Sequence, residues 1–335
     1  MQGLTTADPV LLMCPPEFYS ISGPDEHGRY PNKFAEHNHK EYSKDPAGFL
    51  KRAKLQWNTY QDRIHSLGVK TLELDPVENI GDMVFTADPT LSIVSHSKGG
   101  KNEKRITITS HFSHTERQNE VEQNTQFIKM FDPKREILAS RYKSEGTGDN
   151  YYDPFRDVFW SGYTENPCRE NASAGRTDIR AHQGLRDLTG IHVHSMNVRE
   201  PFFHIDTCMA PLSRGHIIAY KEGMTEKAFE RLIQEGFLAY GMDPDEFLIL
   251  VDDKDAKDYA CNLRCLGDHI IMPKVSIDLQ ERLSAKGYDV HALDISAFIS
   301  DGGAMHCLTN NINEQRIVGG HCQKHGYAYG DHQNA

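Results

Sequence analysis

Residues 83–130 read MVFTADPTLSIVSHSKGGKNEKRITITSHFSHTERQNEVEQNTQFIKM, and this stretch decides the fold class. Residues 83–85, 91–94 and 106–108 are short apolar runs of strand length. Residues 116–130 carry helical spacing that must end before Pro133. The resulting order is strand, strand, helix, strand. Upstream, 10–13 reads as a strand broken at Pro15-Pro16, the apolar positions between Asp45 and Leu67 recur at helical spacing up to Gly68, and 69–74 is the next strand. After His192 the same order returns, with strands at 201–208 and 215–220, a helix over 225–236 and a strand at 247–251. Then come 270–272, a helix over 276–286, 290–294 and 305–309. Such alternation predicts an α/β fold. No low-complexity segment or Gly/Ser linker interrupts it, so 1–335 is expected to form a single domain of similar units, with 321–335 a polar C-terminal tail. The polar stretch 21–39, with Gly23-Pro24-Asp25 and Gly28 as turn signals, predicts a long loop of the kind that serves as a lid.

A length of 335 residues and a hydrophobic content of 38% suffice for a sizeable core. The formal net charge of −11, with no cluster of Lys and Arg, opposes nucleic-acid binding and favours a cationic or zwitterionic small substrate. No apolar run approaches the ~18 residues of a membrane span, and the first residues lack a basic segment followed by an apolar one. Seven cysteines at 14, 168, 208, 261, 265, 307 and 322 are odd in number and scattered. A soluble protein of the reducing cytoplasm is expected.

The chemistry centres on Gly302-Gly303-Ala304-Met305-His306-Cys307-Leu308-Thr309-Asn310. A cysteine attacks carbon only as a thiolate, so it needs one partner to manage protons and a carboxylate to orient that partner. Cys307, His204 and Glu145 can fill these three roles, although cysteine is also among the residues most often buried for packing alone. In Phe202-Phe203-His204-Ile205-Asp206-Thr207, strand alternation would set His204 and Asp206 on one face. In Asp82-Met83-Val84-Phe85-Thr86-Ala87-Asp88 it would align Asp82, Val84, Thr86 and Asp88. Glu145-Gly146-Thr147-Gly148-Asp149 holds two carboxylates in a turn that another segment can approach closely. Arg117 and Arg176 are candidate anchors for a substrate carboxylate, or surface arginines. His321-Cys322-Gln323-Lys324-His325 lacks a second matching cluster, so no metal site is expected there.

Taken in order, Leu12-Met13-Cys14-Pro15-Pro16-Glu17, the 82–88 string, Glu116-Arg117-Gln118-Asn119-Glu120, the 145–149 string, Phe203-His204-Ile205-Asp206-Thr207, Ala260-Cys261-Asn262 and Gly303-Ala304-Met305-His306-Cys307 resemble the guanidino-group-modifying enzymes. These are the arginine deiminases, dimethylarginine dimethylaminohydrolases, arginine dihydrolases and amidinotransferases. The resemblance implies a five-bladed, pseudo-symmetric α/β propeller (pentein) of ββαβ units. It further implies a cofactor-independent hydrolase acting on the guanidinium of an arginine-like small molecule through a covalent S-alkylthiouronium. An amidinotransferase is the alternative, an inactive binding relative is a third reading, and a homo-oligomer is compatible with each. By the same resemblance Cys307 is the nucleophile, His204 the acid/base and Glu145 its orienting carboxylate. Asp88 and Asp206 hold the guanidinium, Arg117 and Arg176 hold the α-carboxylate, and Asp82 and Asp149 complete the substrate-binding set.

Three departures accompany it. Hydrolases opening with a similar Met-Cys-Pro-Pro-Glu continue soon into Asn-Pro-Trp, whereas the chain from Ser20 onward is longer and different. The arginine dihydrolases carry Asn where this chain has Asp88, which argues against a second hydrolytic round to ornithine. Finally, 165–175 is inserted before Arg176. Arg169 is the alternative anchor, and Arg176 fits the family spacing better.

Overall fold

Pro46 follows a capping Asp45, whose side chain accepts from the Gly48 amide, and this pair starts the helix Pro46–Ser66 that joins the first two strands. The computed structural model describes residues 8–24, 28–96, 103–164 and 176–316. Strand β1 (Val10–Met13) runs parallel to β2 (Lys70–Glu73) on the far side of that helix. Next, β3 (Thr90–His96) and β4 (Glu103–Thr109) form an antiparallel pair, the helix Gln118–Phe131 crosses over, and β5 (Glu136–Ala139) lies parallel to β4. The pattern recurs with β6 (Asn150–Asp153), β7 (Val158–Tyr163), helix Arg180–Thr189 and β8 (His192–Asn197). It recurs again with β9 (Met209–Pro211), β10 (Ile217–Ala219), helix Glu226–Gly236 and β11 (Leu248–Leu250). The next repeat comprises β12 (Arg264–Leu266), β13 (His269–Pro273), helix Ile277–Ala285 and β14 (Asp289–Leu293).

The first unit is completed from the other end of the chain. β15 (Asn310–Asn311) pairs antiparallel with β1, setting Leu12 opposite Asn310. The described residues thus form five three-stranded sheets, each with one antiparallel and one parallel neighbour about a central strand. A parallel return needs a crossover of helix length, which explains why every repeat carries one. Buried apolar side chains such as Trp160, Ile218, Phe237, Ile270 and Leu279 join neighbouring units in one core cluster. Among the described residues no helix is long and apolar enough to cross a membrane.

The sequence reading needs four corrections. Residues 83–85 are not a strand: Gly81–Val84 is a 3-10 turn, so Asp82, Val84, Thr86 and Asp88 do not line one strand face. Residues 201–208 are not a strand either, because Ile205–Thr207 is a 3-10 turn, and His204 and Asp206 are brought together by that turn rather than by alternation. Residues 305–309 are turns preceding β15. In all three segments the apolar residues are buried, as a strand's would be, which produces a strand-like run without strand pairing. The predicted 21–39 loop contains the start of a helix, Lys33–Tyr42, whose cap Asn32 accepts from the Phe34 and Ala35 amides. The expected tail 321–335 and the insertion 165–175 lie outside the described residues.

Candidate active site

The segment carrying Cys307 is shaped by one side chain from a neighbouring unit. Gly302 takes φ +93, and the following residues curl so that the amides of Ala304, His306 and Cys307 all donate to Asn262 Oδ1, at 3.1, 3.1 and 3.2 Å. The other end of the same amide, Nδ2, donates to Cys307 Sγ at 3.1 Å. Across the sulfur, Asp206 Oδ2 lies 3.4 Å away and also accepts from His306 Nδ1 at 2.8 Å. Burial, with Arg264 and His204 nearby, holds His306 well below the ordinary histidine range, so it is a neutral donor here. Its ring stacks on Tyr151 with centroids 4.3 Å apart.

His204 hangs from the 3-10 turn with both ring nitrogens facing carboxylates. Nε2 is 2.8 Å from Glu145 Oε2, and Nδ1 is 3.6 Å from Asp88 Oδ1. Burial opposes the imidazolium, yet Asp88, Asp149 and Glu145 together outweigh it and push the pKa up to about 9. Glu145 is held in turn by the Ser113 amide on Oε1 at 2.9 Å and by Arg176 Nη1 on Oε2 at 3.4 Å. Burial raises its pKa, but Arg176 and His204 overcome this and leave it well below the usual carboxylate range. The backbone beside it comes extremely close to the Asp88 strip. A Cβ on Gly148 would lie 2.5 Å from Asp88 Oδ1 and 2.8 Å from His204 Nδ1, so only glycine leaves these two groups facing each other.

The structure brings the remaining candidates into the same region with different surroundings. Arg117 Nη1 donates to Asp88 Oδ2 at 2.9 Å, while Nε and Nη2 grip both oxygens of Glu120 at 2.7 and 2.9 Å. Asp82 Oδ2 stands 3.5 Å from Arg117 Nε. Arg176 lies over the Phe203 ring at 4.3 Å and donates to the Pro31 carbonyl. Asp149 is turned away into a bracket, accepting from the Ile205 amide and from Thr177 Oγ1 at 3.2 and 2.6 Å, which anchors the turn that carries His204. Arg169 and the 321–325 cluster lie outside the described residues.

Polar atoms without a partner mark where a guest would make contacts. Asp82 Oδ1, Asp88 Oδ1, Asp206 Oδ1, Asp301 Oδ2, His204 Nδ1 and Arg176 Nε are all buried and unpaired. Four of the six are carboxylate oxygens, and an unpaired buried acceptor is costly. Burial, with Asp88 nearby, pushes Asp206 up to about 8, and burial with Asp206 and Asp88 holds the Cys307 thiol far above its ordinary range. Without a guest, these groups favour protonated forms. A cavity of about 560 Å³, lined by Leu91, Ile108, Tyr142 and Leu185 among others, lies behind Gly146 and includes none of the reacting groups. Asn262, His306 and Asp301 were not singled out as site residues from sequence. Asn262 and His306 were visible only as members of the Ala260-Cys261-Asn262 and Gly303-Ala304-Met305-His306-Cys307 strings, and no local signal marks Asp301.

No family model matches the chain. It is similar to the bifunctional arginine dihydrolase/ornithine cyclodeaminase ArgZ of Synechocystis, at 28% identity over 305 residues, which cover 91% of this chain and 38% of that protein. It is also similar to the N(G),N(G)-dimethylarginine dimethylaminohydrolase of Mycobacterium tuberculosis, at 26% identity over 262 residues, 78% of this chain and 76% of that one. The chain therefore spans well under half the length of the bifunctional relative. Among solved structures, the N-terminal domain of an ArgZ variant covalently bound to a reaction intermediate superposes with a TM-score of 0.76 at 27% identity, covering 92% of this chain and all of that one. A dimethylarginine dimethylaminohydrolase adduct with S-methyl-L-thiocitrulline shares the fold at a TM-score of 0.65 and 18% identity, over 90% of this chain and 99% of that one. With the family's strings in order along the chain and its fold matched over nine-tenths of the length, the chain is similar in sequence and in fold to members of the guanidino-group-modifying superfamily.

Proposed function

We propose that this chain is a cysteine-dependent hydrolase that cleaves a C–N bond of the guanidinium group of arginine or an arginine derivative. One observation carries the reading: Asp88 and Asp206 each keep a buried, unpaired carboxylate oxygen beside His204 and Cys307 respectively. A guanidinium offers several N–H donors in one plane and a positive charge, which is what such acceptors lack. The names of the relatives support the substrate class, as both act on arginine or its methylated form.

In the chemistry we assign, the arriving cation favours the ionised forms of both Asp206 and Cys307, and their two protons leave to solvent as it binds. The sulfur adds to the central guanidinium carbon. His204, protonated at rest with a pKa near 9, gives its proton to the departing amine and becomes neutral. The C–N bond breaks and an S-alkylthiouronium remains on Cys307. Neutral His204 then takes a proton from water, whose oxygen adds to the same carbon. Breakage of the C–S bond, with the O–H proton of the adduct passing to the departing sulfur, returns the Cys307 thiol and leaves a neutral ureido product. Glu145 keeps the imidazole oriented and favours its charged form. Arg176, with an unpaired Nε, fits the substrate carboxylate. Arg117 is saturated by Glu120 and Asp88, so we assign it to positioning Asp88.

The same reading includes closure of the five sheets into a five-bladed propeller around this site, supported by the unit built from both ends of the described chain. A reducing, cytoplasmic setting is supported by Cys14, Cys208, Cys261, Cys265 and Cys307, all unbridged. Incubation with arginine, methylated arginines, agmatine and guanidinoacetate, with and without an acceptor amine, followed by mass analysis of products, tests the function. Ammonia or methylamine together with a ureido product means hydrolase, a transferred amidino group means amidinotransferase, and no conversion of any of them refutes both.

A further inference from the structure

We propose that His269, Asp289 and His291 form a binding site for a divalent cation of the zinc class at the edge of the sheet β12–β13–β14. The strand register creates it. His269 on β13 is paired with Asp289 on the parallel edge strand β14, and His291 follows two residues on, on the same face as Asp289. Their donor atoms form a small triangle: His269 Nδ1 to Asp289 Oδ2 is 3.1 Å, His291 Nε2 to His269 Nδ1 is 3.3 Å, and His291 Nε2 to Asp289 Oδ2 is 3.5 Å. A tetrahedral zinc with bonds of about 2.0–2.1 Å to nitrogen and oxygen holds its donors about 3.3–3.4 Å apart. All three sides of the triangle lie near that edge length. A hydrogen on one nitrogen can serve only part of the triangle, whereas a cation set between the three atoms engages each lone pair at once. Two imidazoles and one carboxylate are borderline donors that suit zinc better than calcium or magnesium. Asp289 is exposed and His269 half-buried, so the fourth vertex faces solvent on the Asp289 side.

A second histidine–carboxylate group provides a contrast. His192, His194 and Glu235 also converge, but His194 Nδ1 lies 2.5 Å from Glu235 Oε2, and Arg231 Nε sits 3.4 Å from the other oxygen. That spacing leaves no room for an ion between the donors, and a cation already faces the carboxylate. At 269, 289 and 291 the donors stand apart by the width of an ion. Occupied, the site would tie the edge strand β14 to β13, a second fastening beside the backbone ladder, far in character from the guanidinium chemistry and independent of it.

The test uses the full chain carrying Cys307→Ala, so that the active-site thiol cannot compete for metal. This parent and its His291→Ala, His269→Gln and Asp289→Asn derivatives are equilibrated with micromolar zinc chloride, dialysed, and analysed for bound zinc by atomic emission. Thermal unfolding is followed with and without zinc. The parent is expected to hold one zinc equivalent more than His291→Ala or His269→Gln, and zinc is expected to raise the unfolding midpoint of the parent alone. The three side chains are at the surface or its edge, so unchanged midpoints without zinc report intact derivatives. Equal zinc content in the parent and both histidine derivatives, or a parent that retains none, overturns the proposal.

Discussion

Asn262→Ala should weaken the fold around the nucleophile by an amount that can be worked out. Asn262 Oδ1 accepts from the amides of Ala304, His306 and Cys307, while His306 keeps a second, longer contact to the Asn262 carbonyl at 3.4 Å. Truncation therefore strips two amides of their acceptor and weakens a third, in a segment where Ala304, His306 and Cys307 are all buried. A buried donor left without a partner costs about 1–3 kcal/mol, so two of them cost about 2–6 kcal/mol. Against a total stability of about 5–15 kcal/mol this is a severe loss. Asn262→Asp retains the oxygen and separates scaffolding from chemistry: most of the stability should remain, but the Nδ2 donor to Cys307 Sγ is replaced by an anionic oxygen. Urea unfolding measures the first effect, and the rate of iodoacetamide labelling at Cys307, read by mass spectrometry, measures the second. Asn262→Asp should label more slowly than the parent at the same pH. An Asn262→Ala protein that unfolds at the parent's urea midpoint, or Asn262→Asp labelling as fast as the parent, would show that this amide does not organise the site.

Cys307→Ser should abolish turnover of whichever guanidino compound is found to react, while Cys14→Ser, with a thiol that burial pushes up to about 12, should retain it; steady-state rates decide. Asp88→Asn on a Cys307→Ser background should weaken binding of an inert arginine analogue in calorimetry, and equal affinity would remove Asp88 from guanidinium recognition. His204 also predicts a pH dependence of stability. Its folded pKa of about 9 lies above its ordinary 6.5, so the stability it contributes is present in full below about pH 6.5 and lost as pH rises through about 9. The difference in unfolding free energy between the parent and His204→Asn should shrink over that interval, and a flat difference would count against the raised pKa.

The regular elements were legible where periodicity and punctuation coincide. Asp45-Pro46 and Gly68 bracket the first long helix, and Thr225 and Ser276 cap the helices Glu226–Gly236 and Ile277–Ala285. The third unit, β6–β7–β8, was largely illegible because its strands break the pattern. β6 includes buried Asn150 and Asp153, and β8 carries His192, His194 and Ser195 among its six residues. Segments 81–88 and 201–208 misled for the opposite reason, being apolar and buried yet held by turns and by bonds such as Thr86 Oγ1 to the Leu12 carbonyl. At the site, reactive side chains announce themselves through their chemistry and through strings that contain them. Their supports do not: Asn262 acts on amides more than 40 positions away, and His306 reaches a carboxylate 100 positions back, so their roles exist only once the units are assembled.

Charge explains why such an assembly can persist before it holds a substrate. Asp82, Asp88, Glu120, Glu145, Asp149, Asp206 and Asp301 crowd around Arg117, Arg176 and His204, so full ionisation would leave an uncompensated excess of buried negative charge. Burial instead pushes Asp206 up to about 8 and keeps the Cys307 thiol protonated, while Glu120 stays an anion in the two-point grip of Arg117. The resting site is therefore a reservoir of carboxylic acid and thiol protons held in place by desolvation. A planar cation entering between Asp88 and Asp206 acts on every one of these equilibria in the same direction, favouring the carboxylates and the thiolate together. On this account a neutral isostere of the substrate should bind weakly and leave Cys307 unreactive, because shape alone does not release the proton on the sulfur.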